Sequence, residues 1–255
     1  MILTVDIGNT NIVLGGFEGS EPEFVARIAT NSSKTVDEYA TKIRSVLVLH
    51  EIQKDKIEGA IVSSVVPPLT KIISDAIFLV YQIRPLCVGP GIKTGINILC
   101  DDPSTVGSDI ICACVAASSI YGPGCLIIDM GTATKMTVLD KSKAFIGVSI
   151  IPGVEIALKA LALGTAQLPQ ISLEAPPAVV GKNTADCMKS GVIYGNASMI
   201  DGMIDRIIRE VGYDLKLIAT GGYASTVIKH CKNEIMLDSD LILKGLKLLY
   251  DRNTK

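Results

Sequence analysis

Apolar and polar positions alternate along this chain in two rhythms, short apolar runs and longer amphipathic stretches, and the switching between them predicts an α/β protein. Ile2 to Val5 reads as a strand, followed after a tight polar turn by a second from Asn11 to Phe17. From Val36 to Leu49 the spacing of Val36, Ala40, Ile43, Val46 and Leu47 sets one apolar helical face. Asn31, Ser32 and Ser33 ahead of it supply capping side chains. Gly59 to Val66 is a buried strand that Pro67 and Pro68 close, and Gly107 to Ile120 is a nearly all-apolar helix entered through Pro103-Ser104-Thr105. Leu126 to Ile128 and Lys135 to Leu139 again give strand, turn, strand. Gly191 to Val211 is a long helix, Leu215 to Ala219 a strand ending in Gly221-Gly222, and Asp240 to Tyr250 the closing helix.

The chain echoes itself half way along. Ile2-Leu3-Thr4-Val5-Asp6-Ile7-Gly8-Asn9-Thr10-Asn11 returns as Cys125-Leu126-Ile127-Ile128-Asp129-Met130-Gly131-Thr132-Ala133-Thr134. In both, an apolar strand ends in Asp-x-Gly, then small hydroxyl or amide residues, then a second strand. One Asp-x-Gly is what any tight hairpin turn demands. Two copies behind buried strands mark a duplicated domain, dividing near residue 118 into 1–117 and 118–255.

Composition narrows the classes. With 255 residues, 48% hydrophobic and 20% charged, the chain is ordinary globular material, not disordered, collagenous or a disulfide-stapled miniprotein. A net charge of −2, 4% aromatic residues and no Trp weigh against nucleic-acid partners. Mean hydropathy is high at +0.43. Yet runs such as Gly124 to Ile128 stop at Asp129, far short of the ~20 residues of a membrane span. The excess apolar surface is therefore expected in a large core or at a subunit interface. The opening MILTVDIGN has no basic region and no cleavage site, which leads to the expectation of a cytoplasmic protein. Seven cysteines, mostly inside apolar segments, read as buried reduced thiols; Cys112-x-Cys114 is not a zinc spacing, and His50 and His230 join no cysteine pair.

The two hairpins carry the candidate chemistry. An Asp at the mouth of a buried strand can hold Mg²⁺ through its waters, the following Gly admits a phosphate to the backbone, and Thr or Asn adds donors. Two such hairpins can grip the phosphates of ATP, with Ile218-Ala219-Thr220-Gly221-Gly222 as a turn where a base or ribose could lie. Neither a Walker sequence nor a G-x-G-x-x-G occurs.

This arrangement resembles the sugar kinase, Hsp70 and actin superfamily, and within it the type III pantothenate kinases. The resemblance rests on D-x-G-N-T-N at Asp6 to Asn11 and D-x-G-T-A-T at Asp129 to Thr134. It continues through Ile151-Pro152-Gly153, Thr165-Ala166-Gln167-Leu168-Pro169, Gly181-Lys182-Asn183-Thr184, Ser190 to Gly195, Thr220-Gly221-Gly222 and Leu243 to Leu246. It implies two ribonuclease-H-like domains with mixed sheets, the duplicated actin-like ATPase fold, and ATP-dependent phosphorylation of pantothenate to 4′-phosphopantothenate, the first step of coenzyme A biosynthesis. It further implies a homodimer that uses ATP, Mg²⁺ and K⁺ or NH₄⁺. Asp6, Ile7, Gly8, Asn9, Thr10, Asn11, Ile12 and Val13 would bind the ATP phosphates, with Asp6 near Mg²⁺. Thr132 would contact ATP, Asp129 would hold the monovalent cation, and Thr184 would touch the acceptor across the dimer interface.

The acceptor side departs from the family pattern. The family's G-A-D-R is here Gly107-Ser108-Asp109-Ile110. Asp109, the family's general base toward the pantothenate hydroxyl, is kept. The arginine is lost, and with it a charged hydrogen bond worth about 1.5–3 kcal/mol. Cys100 stands where the family often has a tyrosine lining the acceptor pocket, and the run after the second hairpin, usually T-T-F-D in the family, is here Lys135-Met136-Thr137. Lys93 and Lys135 are the basic residues that could replace the lost charge. Two other readings stay open at this point: a kinase for a different small hydroxylated acceptor, and a non-catalytic or regulatory nucleotide-binding relative.

Overall fold

The structure, a computed structural model, describes residues 1–164 and 171–254. The motif Thr165-Ala166-Gln167-Leu168-Pro169 lies outside the described residues. The chain forms two compact units, Met1–Ile120 with Asp240–Lys255, and Tyr121–Ser239. The boundary falls close to the sequence division at 118, but the closing helix packs with the first unit instead of the second.

The first unit contains β1 (Ile2–Ile7), β2 (Asn11–Phe17), β3 (Pro22–Ala29), α1 (Val36–Leu49), β4 (Gly59–Ser64), α2 (Pro67–Tyr81), β5 (Leu86–Cys87), β6 (Asn97–Ile98) and α3 (Ser108–Ile120). The second contains β7 (Cys125–Met130), β8 (Ala133–Leu139), β9 (Ala144–Pro152), α4 (Val154–Leu163), α5 (Thr184–Val211), β10 (Lys216–Thr220), the short α6 (Ala224–Val227) and β11 (Met236–Leu237), before α7 (Leu241–Thr254) returns to the first.

The strand order is β3-β2-β1-β4-β5 in the first unit, and the strands of the second follow the same order as β9-β8-β7-β10-β11. In each, the hairpin and its third strand are antiparallel, and the fourth strand runs parallel to the first. The repeat read from two ten-residue segments is thus a repeat of whole sheets. Register adds a difference. Ile7 faces Ile12 across Gly8 to Asn11, whereas Met130 faces Thr134 across Gly131, Thr132 and Ala133, so the second turn is one residue shorter. In consequence Asp6 stands opposite Val13, but Asp129 stands opposite Lys135.

Alternation along the strands sorts the cores. Leu3, Val5, Ile7, Ile12 and Leu14 face one way, against Ile43 and Leu47 of α1 and Leu69, Ile73 and Ile77 of α2. On the opposite face, Phe17 and Ile61 pack against Ile111, Cys112 and Val115 of α3 and Leu243, Leu246 and Leu249 of α7. In the second unit Leu126, Ile128, Met130 and Met136 lie against Val192, Ile193, Ile200 and Ile204 of α5.

Local chemistry explains where sequence and structure part. The cap of α1 is Thr35, in a reciprocal capping box with Glu38, while Asn31 closes a turn onto Ser33. Pro67 and Pro68 open α2 rather than merely closing β4, because a helix's first turn needs no amide donors. α5 starts seven residues before Gly191, at an Asn183 cap that accepts from the Asp186 amide at 2.9 Å. The thiols are not uniformly buried: Cys112, Cys114 and Cys125 are, Cys100 and Cys231 are partly so, and Cys87 and Cys187 are exposed. Among the described residues no helix is long and apolar enough to cross a membrane.

Candidate active site

In the first unit the turn between β1 and β2 is held from below. The Gly8 amide donates to the Asn11 carbonyl at 3.0 Å, the Thr30 hydroxyl donates to the Gly8 carbonyl at 2.7 Å, and the Thr30 amide donates to the Thr10 carbonyl at 3.0 Å. These bonds fix the loop while leaving Asn9, Thr10 and Asn11 exposed. Ile7 and Ile12, predicted among the phosphate-binding run, are core residues with no exposed surface and position the loop from beneath. Val13 packs on the α3–α7 face.

Asp6 is half-buried near the end of β1, beside Ser63 of β4 in parallel register. The start of α3 is fastened to that same strand end through Ser108. Its hydroxyl lies 2.9 Å from the Ser63 hydroxyl, accepts from the Ser64 amide at 3.0 Å and donates to the Ser64 carbonyl at 3.0 Å. Ser108 is therefore an anchor for the helix that carries Asp109. Asp109 sits in the first turn of α3, where a carboxylate is favoured by the helix dipole, and accepts from the Ile110 amide at 2.8 Å. One turn further, the Cys112 thiol is fully buried and pushed well above its ordinary range, first by burial and then by the charges of Asp6 and Asp109. The charges of the two carboxylates singled out from sequence thus both act on one buried thiol, which sequence reasoning had read as plain core. Ile110, standing where the family pattern has arginine, is buried. Cys100 is half-buried just beyond β6, and Lys93 is exposed with its main chain bonded to Asn253.

In the second unit the Gly131 amide donates to the Ala133 carbonyl at 3.2 Å. Two glycines press on this turn. A side chain at Gly153 would stand 2.2 Å from the Thr132 carbonyl oxygen. One at Gly221, whose φ is +94°, would stand 2.6 Å from the Met130 carbonyl. The Tyr223 amide donates to the Met130 carbonyl at 3.2 Å. Ile151-Pro152-Gly153 and Thr220-Gly221-Gly222 are therefore the supports of the Asp129–Thr132 turn. Beside them the Tyr223 hydroxyl donates to Glu155 at 2.6 Å; burial, then this carboxylate, pushes Tyr223 up to about 12.

Asp129 and Lys135 form an ion pair at 2.7 Å, with only 13% and 16% of their side chains exposed. Thr184 is the exposed first residue of α5. Gly181 lies against its opening turn, where a side chain would meet the Cys187 amide at 2.4 Å. Within the first unit the structure gathers Asp6, Ser108 and Asp109. Within the second it gathers Asp129 and Thr132 in one hairpin, with Thr184 at the head of α5.

The implied ions fit unequally. A divalent cation suits Asp6, whose hard carboxylate is half-buried at the strand end to which Ser108 fastens the helix of Asp109. A monovalent cation at Asp129 does not suit the residues present, because the carboxylate already carries an ammonium and a second cation would meet like charge.

A family model described as type III pantothenate kinase matches residues 2–206. A protein of Exiguobacterium named type III pantothenate kinase is 41% identical over 255 residues, covering 100% of both chains. Among solved structures, a Campylobacter jejuni protein named as a conserved Baf family transcriptional activator superposes with a TM-score of 0.60 at 18% identity, covering 99% of this chain and 98% of that one. Component A of the (R)-2-hydroxyglutaryl-CoA dehydratase of Acidaminococcus fermentans superposes with a TM-score of 0.57 at 15% identity, covering 100% and 99%. At such identities these structures speak to fold alone, and the fold is that of actin-like ATPases and sugar kinases, two ribonuclease-H-like domains.

Proposed function

The chain belongs to the type III pantothenate kinase family, which phosphorylates pantothenate in coenzyme A biosynthesis, and from that premise we propose how its own residues divide the work. The β1–β2 turn receives the phosphates of ATP through Asp6 and Gly8, Asn9, Thr10 and Asn11, with Ile7, Ile12 and Val13 supporting it from the core, and Thr132 contacts the nucleotide from the β7–β8 turn. Asp6 holds Mg²⁺ through its waters; when bound, that ion neutralises phosphate charge. Asp109 accepts the proton of the pantothenate hydroxyl as that oxygen attacks the γ-phosphorus and ADP departs. A carboxylate suffices there, since phosphoryl transfer depends mainly on positioning and charge stabilisation. Gly107 and Ser108 fix Asp109, Cys100 and Ile110 meet the acceptor, and Thr184 reaches it across the dimer interface. Ile110 offers it no charge, so acceptor affinity rests on hydrogen bonds such as that of Thr184.

The observation that carries this reading is that Asp6 stands beside Ser63 on β1 and β4, and that Ser108, next to Asp109, is hydrogen-bonded to Ser63 and Ser64 at the same strand end. A cytoplasmic homodimer completes the proposal. Ile156, Leu161 and Leu163 of α4, with Val179 and Val180, leave apolar side chains exposed that a second copy would cover. A single-chain mass in solution would remove the dimer from the proposal. Asp109→Asn tests the central role: turnover falls by more than about 100-fold while ATP binding, read by calorimetry, is kept. Unchanged turnover would exclude Asp109 as the base.

A further inference from the structure

We propose that Lys135 is a built-in replacement for the monovalent cation, so that this enzyme works without added K⁺ or NH₄⁺. The inference rests on the family reading above, but the observation behind it belongs to this chain. Shortening the second turn by one residue brings Lys135, not Met136, opposite Asp129 in the β7–β8 register. Cross-strand partners on one face approach closely, and here the ammonium meets the carboxylate at 2.7 Å.

Both side chains are mostly shielded from water, so the pair cannot be regarded as a solvated surface contact. An alkylammonium carries the same single charge as K⁺ and three N–H donors where NH₄⁺ has four. Tethered to β8, it has no translational freedom left to lose on binding, and no salt concentration empties the site. The neighbouring groups fit this reading. Asp129 lies beside Thr220 in parallel register, Thr137 follows Lys135 on the same face of β8, and Gly131 and Thr132 continue the turn. Lys135 thus balances Asp129 two residues before Gly131 and holds the turn that Thr132 occupies. It is a positioning residue: it acts on the nucleotide through the hairpin.

The test compares wild type, Lys135→Thr and Lys135→Arg in NaCl, KCl and NH₄Cl at equal ionic strength, reading both ADP formation and thermal melting. Wild type is expected to turn over within about twofold in all three salts and to melt at one temperature in them. Lys135→Thr should lose at least about tenfold in NaCl, recover in KCl or NH₄Cl, and melt higher in KCl than in NaCl, as mass action on a vacated site requires. Lys135→Arg, keeping the charge, should stay indifferent to the cation. A wild type that needs K⁺, or melts higher in it, overturns the proposal. So does a Lys135→Thr protein equally impaired in every salt, which would reduce the pair to a structural contact. Melting is read without substrate, so a wild type inactive toward pantothenate in every salt would count against the function and leave the melting comparison to decide on Lys135.

Discussion

Replacing Gly221 by Ala probes how the β7–β8 turn, the proposed nucleotide contact of the second unit, is held. The residue sits at φ +94°, a conformation that costs an L side chain about 1–2 kcal/mol. The added methyl would also stand 2.6 to 2.7 Å from the N, C and O atoms of Met130, all of them main chain. Backbone cannot swing aside as a side-chain tip can, so relief requires moving the end of β7, with Asp129 on it and Thr132 in the turn that follows. Overpacking of this kind costs about 1–3 kcal/mol. Together the two effects predict a loss of about 2–5 kcal/mol, seen as a melting temperature lower by on the order of 10 °C. Gly222 is the internal control, since a methyl there meets nothing within 4 Å. The assay is thermal melting of Gly221→Ala and Gly222→Ala side by side, with ATP binding measured on each. Gly221→Ala should melt lower and bind ATP more weakly, and Gly222→Ala should lie close to wild type on both counts. If the two variants melt together, the support assigned to Gly221 is wrong.

Two further outcomes are expected. The Thr134 hydroxyl is buried without a hydrogen-bond partner, so Thr134→Val, which keeps its shape, should raise stability by about 1–2 kcal/mol in a denaturant titration; a loss would show that the hydroxyl is satisfied. At pH 8 a thiol reagent should label exposed Cys87 and Cys187 first and leave Cys112 untouched until the protein unfolds. Burial and two nearby carboxylates keep Cys112 in its thiol form at that pH, so early labelling of Cys112 would show that its surroundings are not closed.

Much of this architecture is legible in the residues, for reasons that differ by element. α1 runs from Val36 to Leu49 as its periodicity demands, because one face is buried and the other solvated. The two hairpins were visible because Asp-x-Gly follows an apolar strand in each. α2 was hidden by its own first turn, where two prolines look like a terminator. The duplicated strand order could not be read either, since parallel pairing of β1 with β4 and of β7 with β10 joins residues far apart in sequence.

At the candidate site, Asp6, Asp109, Asp129 and Thr132 could be singled out from their motifs alone. What the sequence comparison hid was their company. The alignment of the two repeats treats Asn11 and Thr134 as equivalents, and only pairing outward from the shorter turn puts Lys135 opposite Asp129. Ser108 looked like a substitution for a small residue and proves to be the fastening of α3. The closing helix was expected with the second half because it follows it in sequence, yet its Leu243, Leu246 and Leu249 complete the core against Phe17 and Ile61.

The most direct measurement is ADP release by the purified protein with Mg-ATP, with and without pantothenate at high concentration, followed by identification of the product by mass. Pantothenate-dependent release with formation of 4′-phosphopantothenate is the predicted result. ATP binding without pantothenate-dependent release at any concentration would contradict the account.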